Sequence, residues 1–238
     1  MTSSDSSPRA VVLCGGHGRR LRPYTTVLPK PLMPIGDRPI LEIVLARLRD
    51  CGVWRVTLCV GYLAELIQSF FGDGSRLGLE IDYSFEEKPL GTIGPLAFVK
   101  DLGEDFLVLN GDVLTDLSPM AVFEAHRHNG ADLTIATYGR EVKIDFGVLR
   151  SDPGTGRVTE FVEKPVHRYE VSMGVYAVSA RCLNLFEPGQ AFGFDDLVLA
   201  LLRENRPAVH FPHTGEWLDI GRKEDYERAL DNPLWEEI

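Results

Sequence analysis

The sequence predicts an α/β fold of Rossmann-like kind, with a mixed, mainly parallel sheet flanked by helices. Two observations carry this. Short apolar runs rich in β-branched residues alternate with helical patterns through the first half of the chain, which is the pace of βαβ units. A glycine cluster follows the first of these runs, and in such folds ligands gather at the carboxyl ends of the strands.

The first run, Ala10–Cys14, is too short and too β-branched for a helix and reads as a buried strand. It stops at Gly15-Gly16. Gly15, Gly16 and Gly18 allow main-chain N–H groups to converge on an anion. Arg19, Arg20, Arg22 and Lys30 then place cations on the same loop, and Pro23, Pro29, Pro31 and Pro34 keep it from becoming a helix. The expectation is an extended, proline-stiffened polyphosphate clamp. A dinucleotide fingerprint fails on spacing, because Leu21 stands where its third glycine belongs and no helix can start before about Asp37. A P-loop fails too, since no Lys-Ser or Lys-Thr pair follows the glycines.

Beyond the loop, Asp37 is the expected N-cap of a helix with Pro39 in its first turn; Ile40, Leu41, Val44, Leu45 and Leu48 recur at helical spacing, and Gly52 ends it. A strand over Trp54–Val60, a helix over Leu63–Phe71 closed by Gly72, and a strand over Leu79–Phe85 follow. Gly91 and Thr92 lie in a turn expected to open a helix running through Lys100, whose N-terminus would offer N–H and hydroxyl groups to a phosphate or base edge. The apolar strand Phe106–Leu109 runs into Asn110-Gly111-Asp112. A carboxylate at the end of a central strand is costly unless it meets a cation, and beside the phosphate loop magnesium is favoured over a turn cap for Asp112.

A helix from Ser118-Pro119 to about His128 leads into a second half of short strands at Leu133–Tyr138, Gly147–Arg150, Val158–Val162 and Gly174–Val178. Helices over Ala180–Phe186 and Asp195–Asn205, a strand over Ala208–Phe211 and a helix over Lys223–Leu230 complete the pattern. Asp219 precedes the last of these as a candidate N-cap, and Trp235 is expected to dock the tail. The chain is expected to be a single domain, with residues 10–115 as a nucleotide-binding half and 116–238 as an acceptor-binding half continuous with the same sheet.

Composition narrows the partner. The 238 residues are 44% hydrophobic and 25% charged, ordinary for a globular protein with a sizeable core. The net charge is −10, which argues against nucleic acid or an anionic membrane surface and makes the basic loop a local exception. No apolar run approaches the length of a membrane span and residues 1–9 are polar, so a cytoplasmic setting is expected. Assembly as a homo-oligomer stays open. Cys14, Cys51, Cys59 and Cys182 lack metal-ligand spacing and read as reduced thiols, with Cys14 at the mouth of the loop. The six histidines show no ligand spacing either.

Gly15-Gly16-His17-Gly18-Arg19-Arg20-Leu21-Arg22-Pro23 with Pro29-Lys30-Pro31 closely resembles the G-G-x-G-[ST]-R-L-x-P…P-K-P signature of the sugar-1-phosphate nucleotidyltransferases. Arg19 stands where that family has Ser or Thr. Pro89-Leu90-Gly91-Thr92 is similar to the family's second nucleotide contact, in the version of mannose-1-phosphate guanylyltransferases, which implies guanine. Asn110-Gly111-Asp112, Glu163-Lys164-Pro165, Ser172-Met173-Gly174-Val175-Tyr176 and Trp217-Leu218-Asp219-Ile220-Gly221 match further motifs in order, with Ser172 in place of Asn. The resemblance spans about Ala10 to Leu230.

The resemblance implies a GT-A-like nucleotidyltransferase fold without a β-helix extension, joining a nucleoside triphosphate to a sugar 1-phosphate or a cyclitol phosphate with Mg²⁺ as cofactor. Arg20, Lys30 and Asp112 are the implied catalytic residues. Leu13, Gly15, Gly16, Gly18, Arg19, Gly91, Thr92 and Gly111 would hold the nucleotide. Gly147, Glu163, Lys164, Ser172 and Gly174 would hold the sugar phosphate, and Asp112 with Asp219 the metal. The absence of a nucleophile–His–acid grouping agrees with this chemistry: a sugar phosphate has a second pKa near ~6 and is already ionised at neutral pH. Thymidylyl or uridylyl transfer, and a non-catalytic regulatory subunit that binds a nucleotide sugar, are the alternatives.

Overall fold

The computed structural model describes residues 7–232 and 234–237. Strand β1 (Ala10–Leu13) enters the glycine loop, which folds into three single turns of 3-10 helix at Arg19–Leu21, Tyr24–Thr26 and Lys30–Leu32. The loop is therefore kinked rather than extended. Its prolines block an α-helix but permit one-turn bends, closed by bonds such as Leu21 N–H to Gly18 O at 2.9 Å. A small hairpin of β2 (Pro34–Ile35) and β3 (Arg38–Pro39) precedes α1 (Ile40–Asp50). Pairing of Arg38 and Pro39 back onto β2 delays the helix, so Pro39, and not Asp37, is its N-cap.

Next come β4 (Arg55–Val60), α2 (Ala64–Phe71) and β5 (Glu80–Phe85). The segment after Gly91 is a 3-10 helix, Gly94–Phe98, and not the expected helix through Lys100. Its entry is tied elsewhere: the N–H groups of Ile93 and Gly94 both donate to Phe192 O at 3.0 Å. β6 (Asp105–Asn110) and β7 (Val113–Thr115) follow, then α3 (Pro119–Asn129), capped by the Ser118 hydroxyl.

β8 (Leu133–Lys143) is longer than its apolar stretch suggests, as is its later partner, because both run on past the core as a solvent-exposed arm. At the tip, β9 (Gly147–Ser151) and β10 (Val158–Glu163) form an exposed hairpin, and β11 (Val166–Ser179) returns along β8. The segment Ala180–Leu185 is 3-10 rather than α-helical. α4 (Phe194–Arg203), β12 (Ala208–His213), β13 (Trp217–Asp219), α5 (Lys223–Leu230) and α6 (Leu234–Glu237) close the chain. The N-cap of α5 is Arg222, which removes the capping role considered for Asp219.

Seven strands make one sheet in the order β12-β8-β11-β6-β1-β4-β5, so strands of both halves share it. β11 runs against the other six. Alternation along β1 divides the interior: Ala10 and Val12 face one apolar core with α1, α2 and α3, while Val11 faces the other with α4. Trp235 is buried in the first core, so the tail is docked as expected. β1 has β4 on one side and β6 on the other, and the crevice beyond their carboxyl ends is where this class of sheet places ligands. Beside that crevice β11 bulges between Ser172 and Tyr176, where Gly174 takes φ 78°. A Cβ there would come within 2.6 Å of Asn110 Nδ2. Gly174→Ala is expected to cost ~1–3 kcal/mol of stability, from left-handed backbone plus crowding. Urea denaturation would show this as a lower midpoint at unchanged slope.

Candidate active site

Lys30, in the third 3-10 turn, is buried to 9% exposure, and its ammonium ion-pairs with the Asp112 carboxylate. A buried ammonium is tolerable only with such a partner. Asp112 is held at the strand end by its neighbour: Gly111 N–H donates to Leu13 O at 3.0 Å, fastening the end of β6 to the end of β1. In the loop itself Gly16, Arg19 and Arg20 are exposed, while the Thr25 hydroxyl donates to Gly18 O at 2.8 Å and fixes the turn between them. The Tyr62 hydroxyl braces the loop from outside by donating to Thr26 O at 2.9 Å, and its ring lies 4.9 Å from that of His17.

The second carboxylate arrives from the other half. β13 pairs antiparallel with β7, setting Asp219 opposite Val113, and Ile220 N–H donates to the Asp112 carbonyl at 3.0 Å. Asp112 and Asp219 thereby become neighbours. Desolvation within the cleft pushes the Asp219 carboxyl above its ordinary range and the Asp112 charge pushes it further, while Lys30 and Arg20 pull it back. Arg20 sits close by: a Cβ on Gly221 would lie 3.5 Å from both its guanidinium and Asp219 Oδ1. Two adjacent carboxylates that still repel one another despite two nearby cations have room for more positive charge. Among the described residues no group of three or more His, Cys, Asp and Glu gathers. A pair of carboxylates suits a hard divalent ion that draws its other ligands from phosphate and water, so the residues fit such an ion.

Gly147, Glu163 and Lys164 meet at the root of the β9–β10 hairpin, with Glu163 opposite Gly147 and Lys164 N–H donating to Phe146 O at 3.3 Å. Lys164 forms no ion pair among the described residues. Ser172 and Gly174 lie instead on the β11 bulge, where the Ser172 hydroxyl is 3.0 Å from the Tyr176 hydroxyl. Thr92 has a structural task, its hydroxyl accepting from Phe194 N–H at 2.8 Å to cap α4, and the Gly91 turn packs against the Phe192 carbonyl. The Cys14 thiol is buried and held far above its usual range by that burial, which fits a packing role.

Glu86 escaped the sequence reading. Its Oε1 lies 2.5 Å from where a Gly15 Cβ would be, so a side chain at that position would push the carboxylate aside, and its Oε2 accepts from Leu90 N–H at 3.3 Å. The carboxylate is half-buried between the glycine loop and the Gly91 turn, burial raises its pKa, and among the described residues no cation pairs with it. The available signal was a charged residue directly after an apolar strand and four positions before Leu90.

Residues 9–234 match the nucleotidyl transferase family. The chain belongs to that family. Nucleotidyl transferases of this kind typically use a divalent metal ion. A UTP-glucose-1-phosphate uridylyltransferase from Synechocystis is 34% identical over 250 residues, covering 97% of this chain and 64% of the relative. The catalytic subunit beta of a mannose-1-phosphate guanylyltransferase from Drosophila pseudoobscura pseudoobscura is 34% identical over 232 residues, covering 94% and 62%. The chain thus spans less than two thirds of the length of these relatives. HddC from Yersinia pseudotuberculosis, solved with GMP-PN, superposes at TM-score 0.70 with 26% identity, covering 94% of this chain and 98% of HddC. No described helix is long and apolar enough to cross a membrane.

The raised Asp219 pKa fixes the sign of a stability change. A carboxyl whose folded pKa lies above its unfolded value destabilises the fold once pH exceeds the unfolded pKa, and that loss disappears as pH falls below it. In chelator-treated protein at neutral pH, Asp219→Asn is expected to raise Tm relative to the native chain, and the difference should vanish in acid. Thermal melts with chelator at both pH values check it.

Proposed function

We propose that this chain joins GTP to a sugar 1-phosphate or cyclitol 1-phosphate, giving a nucleotide sugar and pyrophosphate. Family membership and the meeting of Arg20, Lys30, Asp112 and Asp219 in one cleft support the transfer. The difficulty of this reaction is repulsion, since a phosphate dianion must approach a triphosphate that is itself highly anionic. The backbone at Gly15, Gly16 and Gly18 with Leu13, Arg19 and Gly111 cradles the nucleotide, Lys30 steadies the α-phosphate, and Arg20 takes up charge on the leaving side. Gly147, Glu163, Ser172 and Gly174 orient the acceptor, with Lys164 on its phosphate. Magnesium is the ion assigned to Asp112 and Asp219; bound there, it supplies charge neutralisation between the two phosphates. No side chain needs to abstract a proton, and the rate comes from positioning and electrostatics.

Glu86 is the observation that favours guanine. Guanine presents two adjacent donors, N1–H and the 2-amino group, which a carboxylate accepts side by side; uracil and thymine present one N–H between two carbonyls that a carboxylate repels. The Gly91 turn borders the same space. The UTP-using relative keeps a uridylyl reading in play, and a triphosphate panel separates the two.

Pyrophosphate release with each of GTP, UTP, dTTP, CTP and ATP, against mannose 1-phosphate and other hexose and cyclitol phosphates, is expected to be fastest with GTP. Glu86→Gln should reduce the preference for GTP over UTP by ~10–100-fold. Because Glu86 must be ionised to accept twice and its pKa is raised, that preference should begin to fall at a pH above the usual carboxylate range. A native preference for UTP or dTTP would refute the guanine assignment, and no product from any triphosphate would refute the enzyme. Arg20→Ala and Asp112→Asn should each lower kcat by ~10²–10⁴. Near-normal turnover in either variant would reject its role.

A further inference from the structure

A cavity of about 420 Å³ opens beside Arg20 and Asp219 and is walled by Arg140, Arg222 and Arg228. Tyr138 and Trp217, with rings 5.3 Å apart, form part of its lining. None of the four arginines forms an ion pair among the described residues, and only Asp219 and Asp225 oppose them along the wall. On a chain of net charge −10, four unpaired guanidinium groups around one hollow are a local reversal of sign. Such a hollow is suited to a compact polyanion, since guanidinium forks match phosphate oxygens.

The position of the cavity says which polyanion. Ser172 reaches toward Tyr176, in the core against α4, whereas Tyr138 and Trp217 pack on the opposite core with α1 and α3. Ser172, alone among the acceptor candidates in facing the α4 core, therefore lies on the sheet face opposite the arginine hollow, and Asp219, beside Asp112 at the strand ends, lines the hollow itself. In-line phosphoryl transfer places the leaving group opposite the attacking oxygen. Arg20, assigned to the leaving side, is itself part of the cavity wall.

We propose that this cavity receives the leaving pyrophosphate, and that Arg140 and Arg222, with Arg228 behind them, hold its terminal phosphate beyond the reach of Arg20. This rests on the transferase reading above. In the step it serves, an oxygen of the acceptor phosphate bonds to the α-phosphorus as the bond from that phosphorus to the α,β-bridging oxygen breaks. The electron pair of the broken bond leaves with pyrophosphate; no proton moves and nothing is oxidised or reduced. The hollow lowers the barrier to departure and retains the product until it escapes to solvent.

Calorimetric titration of the full chain with inorganic pyrophosphate, in magnesium buffer and without nucleotide, tests this independently of base or acceptor. Arg140→Ala and Arg222→Ala are each expected to weaken binding by ~10-fold, the scale of one charge-assisted contact. The double variant should weaken it further. Arg140→Lys and Arg222→Lys guard against a folding defect and should retain part of the affinity at native Tm. With whichever substrates turn over, pyrophosphate should inhibit the alanine variants at least ~10-fold less strongly, while the KM of the acceptor phosphate changes little. Unchanged pyrophosphate affinity, or a loss that falls on the acceptor's KM instead, would overturn the inference. Absence of turnover in the native chain bears on the transferase reading alone, because the titration still reports on the cavity.

Discussion

The pairing of β7 with β13 is the constraint on which the rest of this structure depends. It brings Asp219, from the far end of the chain, beside Asp112 at the end of a central strand. Burial and the Asp112 charge make Asp219 costly to ionise there. Lys30 pairs with Asp112, and Arg20 with Lys30 lowers the cost of ionising Asp219, yet its pKa remains raised. The site therefore stores an electrostatic demand that a divalent cation and phosphates can meet together.

Much of the surrounding architecture can be understood as holding that demand in place. The hydrogen bond from Gly111 to Leu13 fixes where Asp112 begins. The 3-10 turns of the loop set Lys30 into the interior and leave Arg19 and Arg20 facing outward. The exposed β8–β11 arm and its hairpin carry Gly147, Glu163 and Lys164 away from the core, so the residues proposed to hold the acceptor sit on a lightly supported element. The residues proposed to hold the nucleotide, by contrast, follow the largely buried strands β1 and β6.

The fold class and the position of the loop were legible in the sequence because both are local signals, whereas the 3-10 turns that kink the loop were not. Apolar runs of strand length alternate with helical spacing, and glycines, arginines and prolines crowd one stretch. Elements set by distant partners were less legible. Asp37 is a good cap in isolation, but the β2–β3 pairing moved the helix start past it. The segment after Gly91 has helical composition, but Phe192, far along the chain, captured its N–H groups. The arm strands ran longer than their apolar cores because they pair with each other outside the sheet's buried region. At the site, Asp112 and Asp219 carried motif signals, whereas the meaning of Glu86, Arg140 and Arg222 depended on which surfaces the fold placed together. A lone glutamate or arginine has no sequence pattern that distinguishes a lining residue from a solvated one.

The central claim is that Asp112 and Asp219 jointly hold one divalent ion against the triphosphate. Electron paramagnetic resonance titration of Mn²⁺ into the full chain with a non-hydrolysable GTP analogue reads that ion directly. The account predicts a single tight site that Asp112→Asn and Asp219→Asn each weaken by ~100-fold. Native Mn²⁺ affinity in either variant would contradict it.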